Sequence, residues 1–155
     1  MKRLEKFKFS LDVLLKVKTA EKKKLDNEIY HINQEIIYME QELKEIEDKA
    51  NVYDKSMQVA LETGIDVYTL KDYALYRNKI AENIRAQMNS IETMNIKMEK
   101  LRQEYLKLKK ALDVLRKLKR QQFNIYQYNV AQEQAKEIED IISYKTSRSV
   151  QYGNT

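Results

Sequence analysis

Side chains able to perform catalysis or hold a metal are scarce in this 155-residue chain. It contains no cysteine, which excludes disulfides, thiolate metal sites and cysteine nucleophiles. The one histidine, His31, directly precedes Ile32, which belongs to an apolar helical stripe described below. A single histidine at such a position is more often a residue beside the helix seam than a metal ligand. With only two glycines there is no Gly-rich phosphate loop, and no nucleophile stands beside a base and an orienting group. We therefore predict no enzyme activity, no catalytic residue, no metal site and no cofactor.

Charge is the chemical property that the sequence does concentrate. Residues 1–24 contain nine lysines and arginines against three acids, and residues 100–120 contain nine against two. Residues 25–56 have the opposite balance, with nine acids against three lysines. Crowded basic side chains repel one another unless a negative partner neutralises them, so the basic blocks indicate a binding surface. The acidic middle is typical of a solvated helical face.

Helices must position these charges, because the chain has no proline and 34% of its residues are charged. Such a composition is typical of long helices and coiled coils, and it excludes Rossmann and P-loop folds. Apolar residues recur at alternating steps of three and four, which is a heptad pattern. The first stripe consists of Leu25, Ile29, Ile32, Ile36, Met39, Leu43, Ile46, Ala50, Tyr53 and Met57. The second consists of Leu70, Tyr73, Arg77, Ile80, Ile84, Gln87, Ile91, Met94, Met98, Leu101, Tyr105, Leu108, Leu112 and Leu115.

Gly64 lies between the two stripes and predicts a turn, since glycine readily takes the left-handed conformation that ends a helix. Asp66 or Thr69 can begin the next helix. The predicted fold is all-α, with two long helices in an antiparallel coiled-coil hairpin whose second helix is longer and overhangs. We expect one coiled-coil domain over residues 1–155, with helices at about 10–61 and 69–145, a turn at about 62–68 and a frayed tail at 146–155.

A turn at this position pairs residues whose numbers add up to about 130, which brings the two basic blocks together at the open end of the hairpin. Residues from about 120 to 145 then have no matching segment and are expected to project. Apolar anchors within a basic rim resemble a protein-binding site. The candidate partner-binding residues at this end are Phe7, Phe9, Leu11, Leu14, Leu15, Lys16, Lys18, Arg116, Lys117, Lys119, Arg120, Phe123 and Tyr126.

Charged residues interrupt every apolar run that could serve as a secretory signal or a membrane span, so we expect a soluble, intracellular protein. Nucleic-acid binding is disfavoured, because the basic residues are divided between two parts of the chain instead of forming one basic helix ahead of its own heptads. Docking of residues 2–18 on a membrane surface is weakly supported. A generic coiled-coil tether or spacer remains the main alternative.

Three segments of the chain resemble the flagellar export protein FliJ family as it occurs in Gram-positive bacteria. The run from Phe7 to Lys18 is similar to the F-x-F-x-L-x-x-L-L start of that family. The run from Leu70 to Tyr76 resembles its L-x-x-Y-x-x-Y segment. Residues Glu133 to Ile142 resemble its E-x-K-x-x-D-E-I signature, with Glu139-Asp140 where the family more often has Asp then Glu.

The resemblance implies a non-enzymatic component of the flagellar type III export apparatus. Members of the family form a coiled coil similar to the stalk of rotary ATP synthases. They insert into the hexameric export ATPase, promote its assembly, link it to the membrane export gate and handle export chaperones. The resemblance therefore implies a cytoplasmic protein held peripherally at the membrane through its partners. It also implies partner binding by the matching residues at the two ends of the chain: Phe7, Phe9, Leu11, Leu14, Leu15, Lys16 and Lys18, and Glu133, Lys136, Glu139 and Asp140.

Overall fold

Two α-helices account for almost all of the chain. A computed structural model describes residues 5–153. In it, α1 comprises Asp12–Thr63 and α2 comprises Val67–Gly153, with 52 and 87 residues. The predicted two-helix, all-α fold with a longer second helix is confirmed, and no strand occurs within this described range.

The connection between the helices follows the chemistry of its residues. Gly64 has a φ of 91°, the left-handed conformation that glycine adopts without a Cβ penalty. Asp66 caps α2, because its Oδ1 accepts a hydrogen bond of 2.8 Å from the Thr69 backbone N–H and its carbonyl accepts one of 3.2 Å from Leu70. The Thr69 hydroxyl and N–H stabilise the carboxylate and hold the pKa of Asp66 below its ordinary 3.8.

The contacts divide the chain into two compact units. We call residues 22–107 the hairpin unit, and residues 5–21 together with 108–153 the terminal unit, both restricted to the described residues. In the hairpin unit the predicted stripes form the seam between the two helices. Ile32, Ile36 and Met98 are buried together, with Ile29, Met94 and Leu101 packed against them. Of the predicted stripe members, only Leu70, beside the turn, is exposed.

The polar members of the seam in the hairpin unit have specific partners. Arg77 Nε lies 3.1 Å from Asp54 Oδ1, and Gln87 Nε2 donates to the Met39 carbonyl at 3.1 Å. The numbers of these paired residues add up to 131 and 126, close to the predicted value of about 130. Polar pairs in a coiled-coil seam favour one register, since any slip would leave them without partners.

The structure continues α2 through Gly153, where the sequence analysis placed a frayed tail at 146–155. Residues 154 and 155 lie outside the described range, and fraying of the tail in solution stays a prediction. Every residue from 131 to 151 is exposed, so this part of α2 has no packing within the described structure. Neither helix, as described, includes a run long and apolar enough to cross a membrane.

Candidate partner-binding surface

An aromatic cluster ties the beginning of the chain to α2 in the terminal unit. Residues 5–9 are not helical, and the ring of Phe7 contacts the rings of Phe123 and Tyr126, with centroids 5.1 and 5.6 Å apart. The Tyr126 hydroxyl donates a hydrogen bond of 2.6 Å to the Glu5 carbonyl. Phe9 is buried, with 6% of its surface exposed. We call residues 5–9 the N-terminal strap.

The strap corrects one expectation from the sequence. Residues from about 120 onward were predicted to lack a matching segment, yet Phe123 and Tyr126 pack against the strap. An extended chain advances about 3.3 Å per residue and a helix about 1.5 Å, so a few strap residues accompany several turns of α2. Within the described residues, the part of α2 in which every residue is exposed begins at residue 131.

Asp12 takes part in two ionic contacts of the terminal unit. It lies in the first turn of α1, where a carboxylate interacts favourably with the helix dipole. Lys16 Nζ approaches it at 3.2 Å, and Lys119 Nζ approaches it from α2 at 3.7 Å. Lys119, one of the candidate partner-binding residues, therefore has an acidic partner within the chain. Lys18 also has one, because its Nζ lies 3.4 Å from Glu21.

Three other basic candidates on α2 are free to face solvent. Arg116, Lys117 and Arg120 are exposed, and Lys16 exposes 78% of its side chain despite its contact with Asp12. Leu11 and Leu14 add exposed apolar surface at the start of α1, while Leu15 is half-buried. Within the terminal unit, exposed cationic side chains thus accompany the aromatic cluster. We call Lys16, Arg116, Lys117 and Arg120, together with that cluster, the basic surface.

An open groove of about 680 Å³ runs between the strap and α2. Gln122, Ile125 and Asn129 contribute to it from α2, and Lys6 and Lys8 contribute from the strap. Lys6, Lys8, Gln122 and Asn129 were not candidates in the sequence analysis. Lysine and phenylalanine alternate over residues 6–9, and this two-residue period is typical of an extended segment. It is the feature of the sequence from which the strap could have been predicted.

The four remaining candidates lie on the exposed part of α2. Glu133, Lys136, Glu139 and Asp140 are all exposed. In residues 5–153, no group of three or more acids and histidines has an arrangement that could hold a metal ion. The arrangement suits the binding of a macromolecule through charge and apolar contact.

A comparison with models of protein families matches residues 7–151 to the family described as the flagellar FliJ protein. The chain belongs to the FliJ family. A comparison with curated proteins and one with solved structures found no match. Membership confirms the resemblance in the sequence and implies a component of the flagellar export apparatus.

The match to the FliJ family spans both segments of the terminal unit. It begins at Phe7, the residue that joins the strap to α2, and it extends along the exposed part of α2 to residue 151. The basic surface and the exposed part of α2 are therefore both within the matched region.

Proposed function

We propose that this FliJ family member acts as a non-enzymatic, stalk-like component that binds the hexameric export ATPase through its basic surface and promotes its assembly. In the same proposal it links the ATPase to the membrane export gate and to export chaperones, as a cytoplasmic protein held peripherally at the membrane by its partners. The observation that supports ATPase binding most directly is the concentration of exposed cations beside an aromatic cluster in one unit.

The electrostatic part of the proposal follows from the positions of the charges. Arg116, Lys117 and Arg120 are exposed, and neighbouring positive charges repel one another at low ionic strength. An acidic collar on a partner would relieve that repulsion and accelerate association. Exposed Leu11 and Leu14 supply apolar area that can be buried at the same time.

The structure indicates which residues a charge-reversal test of this proposal should change. Lys119 should be left unchanged, since a glutamate there would face Asp12 and could disturb the terminal unit itself. The test variant is therefore Arg116→Glu, Lys117→Glu and Arg120→Glu. A matched control reverses three exposed lysines of the hairpin unit, Lys71, Lys97 and Lys100, and changes the net charge by the same amount.

Binding of each purified variant to the export ATPase of the same organism is measured together with ATP hydrolysis. We expect the test variant to bind at least about tenfold more weakly and to lose stimulation of hydrolysis, while the control variant retains both. Equal binding by the test variant and the unaltered protein would contradict the proposal and favour a generic tether. Far-UV circular dichroism establishes that both variants keep their helices.

A further inference from the structure

Aliphatic side chains of α2 point away from Arg116 of the basic surface. Val114 and Leu118 lie two residues before and two residues after Arg116, so at about 100° per residue both are on the opposite side of the helix. Ile125, nine residues after Arg116, is on that side as well. Val114 and Ile125 are 59% and 60% exposed, and Leu118 is half-buried. The terminal unit therefore has an apolar side as well as a cationic one.

Val17 adds to this apolar side from α1. It directly precedes the half-buried Lys18, just as Val114 directly precedes the buried Leu115, so both valines have the same position relative to the seam. Equivalent heptad positions of two antiparallel helices lie on the same side of their seam. Val17 is 48% exposed. The members of this surface, which we call the aliphatic patch, are Val17, Val114, Leu118 and Ile125.

Lysines of α2 border the aliphatic patch. Lys110 and Lys117 lie four residues before and three residues after Val114, which turns them only about 40° and 60° away from it. Both are exposed. The long stem of a lysine can lie along apolar surface while its ammonium group reaches a polar or charged partner. This edge of the patch can therefore combine apolar and ionic contact.

The strap supplies two more lysines at the other end of the patch. Lys6 and Lys8 are exposed, and they line the groove of about 680 Å³ together with Ile125. The patch thus has lysines along α2 and along the strap. Two copies of it would bring these like charges together, which disfavours a second copy of this chain as the occupant.

The acids of this part of the unit do not cancel its positive charge. Residues 5–21 and 108–129 together contain ten lysines and arginines against four acids. Two of those acids, Asp12 and Glu21, are in ion pairs with lysines of the same unit. The occupant of the aliphatic patch should therefore be anionic and able to accept aliphatic side chains.

We infer that the aliphatic patch binds the surface of a membrane that contains anionic lipids. Its valines, Leu118 and Ile125 enter the boundary between headgroups and acyl chains, and the bordering lysines contact lipid phosphates. Residues 131–142, with four acids and one lysine, are repelled by the same surface and stay away from it. This direct contact goes beyond the proposed function, in which partners hold the protein at the membrane, and it leaves Arg116 accessible on the opposite side of α2.

Flotation of the purified full chain with lipid vesicles tests the inference. One set of vesicles consists of phosphatidylcholine, and the other also contains phosphatidylglycerol, which is anionic. At about 0.02 M salt we expect at least about tenfold stronger binding to the anionic vesicles, and much weaker binding at about 0.5 M, because salt screens the lysines. Equal binding to both sets, or binding to neither, overturns the inference but leaves ATPase binding standing, since the assay contains no ATPase.

A valine variant tests the apolar part of the contact without changing charge. Val17→Ser and Val114→Ser together should weaken binding to anionic vesicles at least about fivefold, because less aliphatic surface leaves water. The matched control is Val52→Ser with Val59→Ser, two valines of the hairpin unit that are 66% and 63% exposed, and it should bind like the unaltered protein. Unchanged binding by the test variant would indicate electrostatic adsorption alone and overturn the assignment of the patch.

A lysine variant tests the ionic part at residues outside the basic surface. Lys6→Glu with Lys110→Glu should weaken binding to anionic vesicles at least about tenfold. Lys71→Glu with Lys97→Glu makes the same change of net charge at exposed positions of the hairpin unit and should retain binding. Equal losses in the two variants would show that net charge alone governs binding, which contradicts a specific patch. Far-UV circular dichroism establishes that each variant keeps its helices.

Discussion

Leu112 offers the sharpest test of how the terminal unit is held together. It is 1% exposed, the most completely buried large side chain in the described structure. Leu112→Ala removes three carbons, and at about 0.8 kcal/mol for each buried methylene the transfer term is about 2.4 kcal/mol. The cavity left behind raises the expected loss of unfolding free energy to about 3–4 kcal/mol.

Leu106→Ala is the matched control, since it makes the same chemical change in the same helix. Leu106 is 55% exposed, so less than half of the transfer term applies and the expected loss is about 1 kcal/mol at most. Urea unfolding followed by far-UV circular dichroism measures both losses. Thermal unfolding should show a midpoint at least about 6 °C lower for Leu112→Ala than for the unaltered protein.

Hydrogen exchange adds a spatial test of the same reasoning. If Leu112 holds the terminal unit together, Leu112→Ala should speed amide exchange in residues 108–126 before it affects the buried cluster around Ile36 and Met98. Similar losses of free energy for Leu112→Ala and Leu106→Ala, or exchange that rises first around Ile36, would refute the assignment of Leu112 as the central packing residue.

Three further changes probe the turn and the seam. Gly64→Ala should lower the unfolding free energy by about 1–2 kcal/mol, measured by urea unfolding, because the position has room for a Cβ but its φ of 91° strains other residues. The lowered pKa of Asp66 means that its carboxylate stabilises the fold above pH 3.8 and that this contribution is lost as the pH falls through the lower folded value. Lowering the pH should therefore reduce the unfolding free energy of the unaltered protein more than that of the Asp66→Asn variant. Equal acid sensitivity of the two proteins would contradict the role of Asp66 as a helix cap. The pKa of Tyr73 is raised above 10.0, chiefly because its hydroxyl donates to Asp54, so Asp54→Asn should return it toward 10.0 in an NMR titration of ring-labelled tyrosine.

The seam was predictable because its signal repeats many times. A heptad pattern sustained over the hairpin leaves one face for each helix to bury, and one glycine marks the turn. The pairing rule then follows from the equal rise of two helices, as the contact of Asp54 with Arg77 illustrates. The sequence alone could not identify the ion-pair partner of Arg77 or the hydrogen-bond partner of Gln87. Several acids and carbonyls on the opposite helix lie within one turn of each.

The strap was missed because its signal is short and its geometry differs from that of the helices. Phe7 and Phe9 were counted among apolar residues at a helical open end, yet their two-residue spacing suits an extended segment. The consequence for the candidate surface is specific. Phe9 is buried, and Tyr126 is engaged by Phe7 and Glu5, so neither aromatic can meet a partner fully unless the strap moves.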